Sequence, residues 1–334
     1  MMPAGTAETH ARVVALAWCA FQPRRAPPSA ALGGMARFVH SRGMRARWTL
    51  PLRYVSHAIA TWRVLGRDRP GVVIAITPPV FAPLVAFLWC KVNGAKLVMD
   101  CHTTAFHSRK WGWALPLHRW LARSSAVVTV HTERARDEVS EWTAATLLLP
   151  DDVPDAAIAE PQPRATRDRI VVAGSLDEQE PVAATIEAAR LLPNVEVVFT
   201  GDVARLPPKL RRSAPANAVF TGWIAYPKFM GTLQSADVVA VFSLDPEIMN
   251  RAAFEAVGLG KPLVLSDLAL LRARFADAAA FCSNESAEMA KALRQALRDR
   301  KILAARSVAA RDRLIAERET ALRGLVAAIS DRHA

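Results

Sequence analysis

The chain has 334 residues and a formal net charge of +12; 51% of its residues are hydrophobic and 22% are charged. This length predicts two domains, and the composition excludes a disordered or low-complexity chain. The four cysteines, at 19, 90, 101 and 282, form no Cys-x-x-Cys pair, which argues against a zinc site or a disulfide framework. No signal-peptide pattern accompanies the apolar stretch 13–21, so we expect a cytoplasmic protein.

The positive charge is concentrated near the start of the chain. Residues 21–70 contain ten arginines and a single acid, Asp68, which is +9 in fifty residues. Such a patch attracts anionic lipid headgroups, a phosphorylated acceptor or nucleic acid. Coding bias is the alternative, because arginine outnumbers lysine 35 to 8, but bias does not account for the lack of acids. Nucleic acid is disfavoured because no recognition helix or zinc finger accompanies the charge.

The first half of the chain alternates short apolar runs with helical segments. The predicted strands are Val13–Trp18, Gly71–Thr77, Lys96–Met99 and Val127–Val130. Basic helices are expected up to about Leu65, an apolar helix within 79–90 and another helix from Glu133. The uncharged stretch 71–90 is long enough to span a bilayer, but its prolines favour a buried or interface-dipping helix. Residues 147–163 are read as a linker.

The second half repeats this alternation. The predicted strands are Ile170–Ala173, Val195–Thr200, Val219–Phe220, Val238–Phe242 and Pro262–Ser266. The predicted helices are Val182–Leu192, Tyr226–Gln234, Arg251–Gly258, Ala287–Arg298 and a long helix ending near Ser330. Strands separated by helices predict an α/β fold of two doubly wound parallel sheets. The predicted divisions are an N-terminal domain (1–150), a linker (151–168), a C-terminal domain (169–310) and a terminal helix (311–334).

Ligands of open parallel sheets bind beyond the carboxyl ends of the strands, so the residues that follow each strand are the candidates for a site. In the second half these candidates are Gly174, Ser175, Gly201, Asp202, Thr221, Gly222, Trp223 and the segment 243–255. Glycines let a ligand approach the backbone closely. A helix that begins near Asn250 directs free amides and a positive dipole end towards a diphosphate.

Glu247 and Glu255 lie eight residues apart across the transition from this loop to the helix. Carboxylates accept several hydrogen bonds and therefore discriminate patterns of sugar hydroxyls. The alternative is that both are solvated surface acids, and their spacing alone favours that alternative.

The segment 247–266 (EIMNRAAFEAVGLGKPLVLS) resembles the Glu-x7-Glu signature of GT-B glycosyltransferases of the family 4 type. The blocks VVAGSLDE, VVFTGD, VFTGW and SADVVAVFS resemble that family's successive strand-and-loop blocks, in the same order. The resemblance covers residues 170–284 well and the first half loosely. It implies two Rossmann-like domains that face a cleft, with the C-terminal helix packing back toward the N-terminal domain.

The resemblance also implies a nucleotide-diphospho-sugar donor held by the C-terminal domain. Glu247 would contact hydroxyls of the transferred sugar and Glu255 the ribose, with the base near Gly201 and Thr221–Trp223. His102 and Thr103, which follow a strand, resemble the family's His-Thr/Ser loop, whose histidine contacts the donor sugar. The alternative for His102 is a structural histidine at a strand end.

One departure from the family pattern concerns the diphosphate. The family carries an arginine and a lysine after the first C-domain strand, whereas this chain has Ser175 and Glu180 there. The segment instead resembles a branch that includes the β-mannosyltransferase acting on lipid-linked chitobiose. Because a leaving diphosphate needs its charge stabilised, other cations must replace the missing pair. The candidates are Arg251, Lys261, Arg24 and Arg25.

No Asp-x-Asp motif is present, so we expect neither an essential metal nor a cofactor. The family retains anomeric configuration and needs no dedicated base, whereas the β-mannosyltransferase branch inverts and needs one. Asp100 and His102 are the candidate bases. The sequence leaves both stereochemical outcomes open.

Tryptophans alternate with basic residues between 109 and 120, a pattern suited to a membrane interface, although an ordinary helix with a charged outer face fits as well. The resulting hypothesis is a glycosyltransferase at the inner face of the cell membrane. It transfers a sugar from a UDP- or GDP-sugar to a lipid-linked or polysaccharide acceptor. The alternative is a catalytically weak GT-B protein that acts as a binding or partner subunit.

Overall fold

The structure is a computed structural model that describes residues 12–19, 32–41, 49–102, 111–163 and 166–330. The chain divides into two compact units. The N-terminal unit comprises Met1–Asp151 and Glu317–Ala334, and the C-terminal unit comprises Asp152–Ala316.

The N-terminal unit is built on a parallel sheet. Its described elements, in chain order, are β1 (Val13–Ala17), β2 (Met35–Phe38), α1 (Leu50–Asp68), β3 (Val72–Thr77), α2 (Phe81–Asn93), β4 (Lys96–Cys101), α3 (Leu115–Ser124), β5 (Val127–Val130), α4 (Glu133–Ser140) and β6 (Thr146–Leu148). The strand order is β2-β1-β3-β4-β5-β6. The central strand β3 is buried along its whole length, as expected for a β-branched strand covered on both faces.

The C-terminal unit contains a second parallel sheet. Its described elements are β7 (Arg169–Val172), α5 (Val182–Arg190), β8 (Glu196–Phe199), α6 (Pro208–Arg212), β9 (Ala218–Phe220), α7 (Tyr226–Gln234), β10 (Val238–Val241), α8 (Arg251–Gly258), β11 (Leu263–Ser266), α9 (Ala269–Phe275), β12 (Ala279–Cys282), α10 (Ser286–Arg298) and α11 (Arg300–Ser330). The strand order is β12-β11-β10-β7-β8-β9.

Apolar residues fill a core on both faces of each sheet. The end of α11 packs on the N-terminal sheet, where Leu325 is buried with Val13 and Ile74. The prediction of two doubly wound parallel-sheet domains is therefore confirmed. Each sheet has six strands among the residues that the structure describes.

The structure corrects some of the predicted elements. Strand β2 lies within the segment predicted to form basic helices. It was not predicted because its half-buried residues do not form an apolar run. Strand β6 takes up the start of the predicted linker and pairs with β5, and β12 was not predicted. Strand β4 continues to Cys101, so that Asp100 lies inside the sheet.

The uncharged stretch 71–90 forms strand β3 and most of helix α2. Prolines 78 and 79 lie between these two elements. Across the parts of the chain that the structure describes, no helix is both long and apolar enough to cross a membrane.

Each sheet has one position where consecutive connections leave in opposite directions. In the N-terminal sheet it lies between the neighbouring strands β1 and β3, and in the C-terminal sheet between β7 and β10. A crevice opens at such a switch point, beyond the carboxyl ends of the strands. The two crevices are therefore the places to look for ligand sites.

Candidate functional site

Four neighbouring strands of the C-terminal sheet, β10, β7, β8 and β9, bring the predicted donor residues to one edge. The tips of β7 and β8 lie in direct contact, because the Gly174 amide donates to Thr200 Oγ1 at 3.1 Å. Gly201 has a φ of +116° and follows Thr200. A Cβ atom there would lie 2.7 Å from the Ser175 carbonyl carbon. Glycine at 201 is therefore required for this close approach.

The backbone amides of the turn after β7 bind a carboxylate of the same segment. The amides of Ser175 and Leu176 donate to the two carboxylate oxygens of Glu180, at 2.7 and 3.0 Å. Consecutive amides in such a turn form an anion-binding concavity, and Leu176 is left-handed with a φ of 59°. Burial raises the pKa of Glu180, and these two hydrogen bonds counteract the rise. Where the family carries cations, this chain therefore places a carboxylate against the backbone.

The tips of β8 and β9 differ in exposure. Asp202 accepts a hydrogen bond from the Ala204 amide at 3.0 Å and so caps a short 3-10 turn. Thr221 donates to the Gly222 carbonyl, and Gly222 has a φ of +68°. Trp223 is 77% exposed. An exposed indole at this edge offers a flat surface on which a base can stack.

The two glutamates of the signature lie in different environments. Glu247 is half-buried in the turn before α8, and its amide donates to Asp245 Oδ1 at 2.8 Å. Glu255 is only 4% exposed and accepts a hydrogen bond from the Tyr226 hydroxyl at 3.0 Å. Burial raises the pKa of Glu255, whereas Arg251 and Tyr226 act to lower it.

Arg251, a candidate for the missing phosphate cation, forms an ion pair within the C-terminal unit. Its guanidinium forks onto Asp152, with Nη2 donating to Oδ2 at 3.2 Å, and its Nε lies 3.4 Å from Glu255 Oε1. Although burial alone would lower the pKa of Arg251, the hydrogen bond and charge of Asp152 raise it. The charge of Arg251 is thus compensated by two carboxylates. Lys261, the other candidate here, donates to the Ala236 carbonyl at 2.9 Å.

Asn250 precedes α8 but does not cap it. Its Oδ1 is buried without a hydrogen-bond partner among the described residues. A buried amide oxygen without a partner carries a desolvation cost. A ligand donor would remove that cost.

The N-terminal sheet brings together a second polar cluster at the ends of β4 and β5. Asp100 Oδ1 accepts a hydrogen bond from Thr129 Oγ1 at 2.8 Å and lies 3.0 Å from His131 Nε2. The rings of His102 and His131 are 5.0 Å apart, and His131 Nδ1 donates to the Leu149 carbonyl at 2.9 Å. Ligand-type atoms of Asp100, His102 and His131 lie within 4.8 Å of one another. Their types would suit a divalent transition metal.

His131 is not among the site residues predicted from sequence, although the rule that selects His102 also selects it. Each histidine follows a strand, β4 for His102 and β5 for His131, and these strands are neighbours. Arg24, Arg25 and Thr103 lie outside the described residues.

A cavity of about 280 Å³ lies near the β1/β3 switch point. Its lining combines aromatic rings with basic groups: Trp18, His40, Arg53, Tyr54, His57, Pro78, Pro79 and Trp111. His57 is 5% exposed, and its Nδ1 is buried without a partner within the described ranges. Burial, followed by the charges of Arg53 and His40, lowers the pKa of His57. The cavity thus offers aromatic walls, a cationic guanidinium and a neutral imidazole.

Residues 167–299 match the family model of the glycosyl transferases group 1. This segment spans the tips of β7 to β10 and helix α8, with Glu247, Arg251 and Glu255, and includes none of the N-terminal residues described above. No curated protein sequence is significantly similar to the chain.

Solved structures share the fold at low sequence identity. HepE of Anabaena, solved with UDP and glucose, is 15% identical with a TM-score of 0.71, covering 96% of this chain and 100% of that chain. Sucrose-phosphate synthase of Thermosynechococcus elongatus is 13% identical with a TM-score of 0.70, covering 94% and 97%. The N-terminal domain of Candida albicans trehalose-6-phosphate phosphatase is 11% identical with a TM-score of 0.68, covering 100% and 99%.

The two doubly wound sheets define the GT-B fold, which these structures share. Fold alone does not determine function. The family match over the C-terminal sheet adds the enzyme class, and the chain is accordingly a glycosyltransferase of the GT-B type.

Proposed function

We propose that this glycosyltransferase takes its sugar from a nucleotide-diphospho-sugar, a UDP- or GDP-sugar, bound beyond the β7/β10 switch point. The observation that carries the proposal is the family match over 167–299, because it covers the strand ends that form this crevice. The HepE protein was also solved with UDP-glucose, which favours a uridine nucleotide.

Each donor residue has a distinct task in this proposal. The half-buried Glu247 accepts hydrogen bonds from hydroxyls of the transferred sugar. Glu255, held by Tyr226 and Arg251, directs its carboxylate to the ribose. The base stacks near Trp223, where Gly201 and Gly222 allow close approach. Asn250 provides its unpartnered amide oxygen as an acceptor to the donor.

The acceptor belongs to the N-terminal unit in this proposal. The cavity of about 280 Å³ approaches the size of small-molecule sites, which begin at about 300 Å³. Its aromatic rings suit a sugar face, and Arg53 suits an acceptor phosphate. We therefore favour a lipid-linked acceptor, or else a polysaccharide, at the cytoplasmic membrane surface. Arg24 and Arg25 remain candidates for the phosphate.

Asp100 and His102 are the proposed catalytic groups of the N-terminal unit. Retention would use His102 to contact the donor sugar. Inversion, as in the β-mannosyltransferase branch of family 4, would use Asp100 or His102 as the base. The contacts of Asp100 with Thr129 and His131 hold its carboxylate in a defined orientation.

We propose that turnover needs no metal, since Asp100, Thr129 and His131 already contact one another. Dialysis against EDTA, followed by metal analysis, tests this proposal. Undiminished turnover is expected. Loss of activity that Zn²⁺ or Mn²⁺ restores would place a cation on Asp100, His102 and His131 instead.

Nucleotide release from UDP-glucose and GDP-mannose measures the activity directly. Glu247→Gln should lower kcat/KM about 100-fold, because hydrogen bonds to a charged group contribute about 1.5–3 kcal/mol each. Glu288→Gln, an exposed glutamate on α10, is the matched control and should behave as wild type. Nucleotide binding without turnover by any donor would instead indicate a binding or partner subunit.

A further inference from the structure

Helix α1 has apolar residues on a face that no core of the described residues covers. Its buried face contains His57, Thr61 and Leu65. On the exposed face, Leu52, Val55, Ile59 and Trp62 are 62%, 57%, 47% and 42% exposed. Their spacing of three, four and three residues aligns them in one stripe along the helix. We call these four residues the α1 stripe.

Neighbouring helices add further exposed apolar groups. Helix α2 packs against α1 and exposes Leu88 and Val92, at 48% and 74%. Helix α3 packs against α2, where the Trp120 ring meets Phe87 edge-on at 4.9 Å and is still 46% exposed. The three helices lie side by side and expose more apolar surface than isolated residues account for.

The same three helices are almost free of acids. They carry the cationic residues Arg53, Arg63, Arg67, Lys91, Arg119 and Arg123. Their one acid, Asp68, is 6% exposed and pairs with Arg37 Nε at 2.6 Å and with Arg67 Nε at 3.1 Å. These three helices thus carry six cationic side chains and one carboxylate, which leaves a net positive charge beside the α1 stripe.

This charge distinguishes between the possible occupants of the stripe. A second copy of the chain docked symmetrically would bring like charges together, which is unfavourable. An anionic bilayer complements both features, since apolar side chains enter the acyl boundary while arginines meet the headgroups. Because no described helix can cross a membrane, α1 would lie in the plane of the surface.

We propose that the α1 stripe docks the N-terminal unit onto an anionic lipid surface. Arg53 and Tyr54 of α1 line the cavity and are adjacent in sequence to Leu52 and Val55 of the stripe. A lipid surface on the stripe therefore lies beside the cavity. This inference rests on the proposed function in one respect, namely that the cavity accepts the head of a lipid-linked acceptor.

Co-sedimentation of the full chain with vesicles tests the proposal. Phosphatidylcholine vesicles are compared with vesicles that also contain 30 mol% phosphatidylglycerol, a fraction of roughly physiological anionic content. Wild type should sediment with the anionic vesicles only. Leu52→Ser/Ile59→Ser should weaken this partition at least tenfold, because about half of each apolar side chain leaves the interface.

A matched control removes equivalent apolar surface elsewhere. Ile302 and Ile315 on α11 are 58% and 40% exposed, so Ile302→Ser/Ile315→Ser should partition as wild type. Arg63→Gln keeps the stripe and removes one cation. It should weaken anionic binding about fivefold, the equivalent of about 1 kcal/mol per basic residue.

The outcomes separate docking from the donor proposal. Wild-type indifference to anionic lipid, or an unchanged partition of the Leu52→Ser/Ile59→Ser variant, overturns the docking proposal. A wild-type dimer that this variant converts to monomer, with no vesicle binding, assigns the stripe to a second copy instead. The melting shift produced by UDP or GDP, measured without vesicles, should be equal in all variants. If no nucleotide shifts wild type but docking holds, only the donor proposal fails.

Discussion

Two strand-to-helix corners, one in each sheet, use a polar residue in opposite ways. Between β5 and α4, Thr132 accepts a hydrogen bond from the Ala135 amide at 3.2 Å and caps the helix. Between β10 and α8, Asn250 occupies the equivalent position and makes no cap. Its buried Oδ1 has no partner within the described part of the chain. The first corner satisfies its polar side chain within the fold, whereas the second leaves a buried amide oxygen without a partner among the described residues.

Buried polar pairs elsewhere in the two units differ as well. The N-terminal unit uses a neutral contact, in which His118 Nε2 lies 2.6 Å from Thr77 Oγ1. The C-terminal unit instead buries the ions Asp152, Arg251 and Glu255. A neutral buried pair loses stability when one member is protonated, whereas a buried ionic cluster loses stability when one charged partner is removed. The following variants test this difference.

The largest effect is expected for Asp152→Asn. It removes one of the two carboxylates that compensate the Arg251 guanidinium, and breaking a buried ion pair costs about 3–5 kcal/mol. Thermal unfolding should show a Tm lower by roughly 10 °C. Asp168→Asn is the control, because its pair with Arg300 is about half exposed and should contribute less than about 1 kcal/mol. Equal losses in the two variants would contradict the assignment.

An intermediate effect is expected in acid. Burial lowers the pKa of His118 from 6.5 to about 4. Below pH 6.5, His118 is protonated in the unfolded chain but stays neutral in the native state. The free energy of unfolding therefore decreases as the pH falls. Between pH 6.5 and 4 the loss amounts to about 3 kcal/mol.

Urea unfolding at several pH values, with wild type and His118→Gln, measures this dependence. The variant should show a flatter acid limb than wild type. An unchanged slope in His118→Gln would refute the neutral buried pair.

The smallest effects compare the two corners directly. Thr132→Ala should lower the free energy of unfolding by about 1 kcal/mol, since a cap is lost. Asn250→Ala should change it by less than about 0.5 kcal/mol yet weaken nucleotide binding. Denaturant unfolding and nucleotide titration of both variants measure these two quantities. The comparison would be contradicted if Thr132→Ala weakened nucleotide binding and Asn250→Ala left it unchanged.

Sequence patterns were most reliable where a segment has a clear run or period of apolar residues. Strand β5 and helices α7 and α8 have the predicted bounds, because β-branched runs and helical periodicity are local signals. Strand β2 was not predicted, since an edge strand of half-buried residues lacks that pattern. The rule that residues after strands line a site led to His102 and Glu247, and applied to β5 it also selects His131.

The order of apolar runs and helices was enough to determine two parallel, doubly wound sheets, since each strand and each helix carries its own periodicity. Tertiary structure decided which charges are compensated. Arg251 meets Asp152 from 99 residues away, the Glu180 carboxylate turns back onto the amides of Ser175 and Leu176, and α1 turns its apolar stripe outward. The physical reason is that ion pairs and the burial of side chains depend on segments distant in sequence, which meet only when the chain packs.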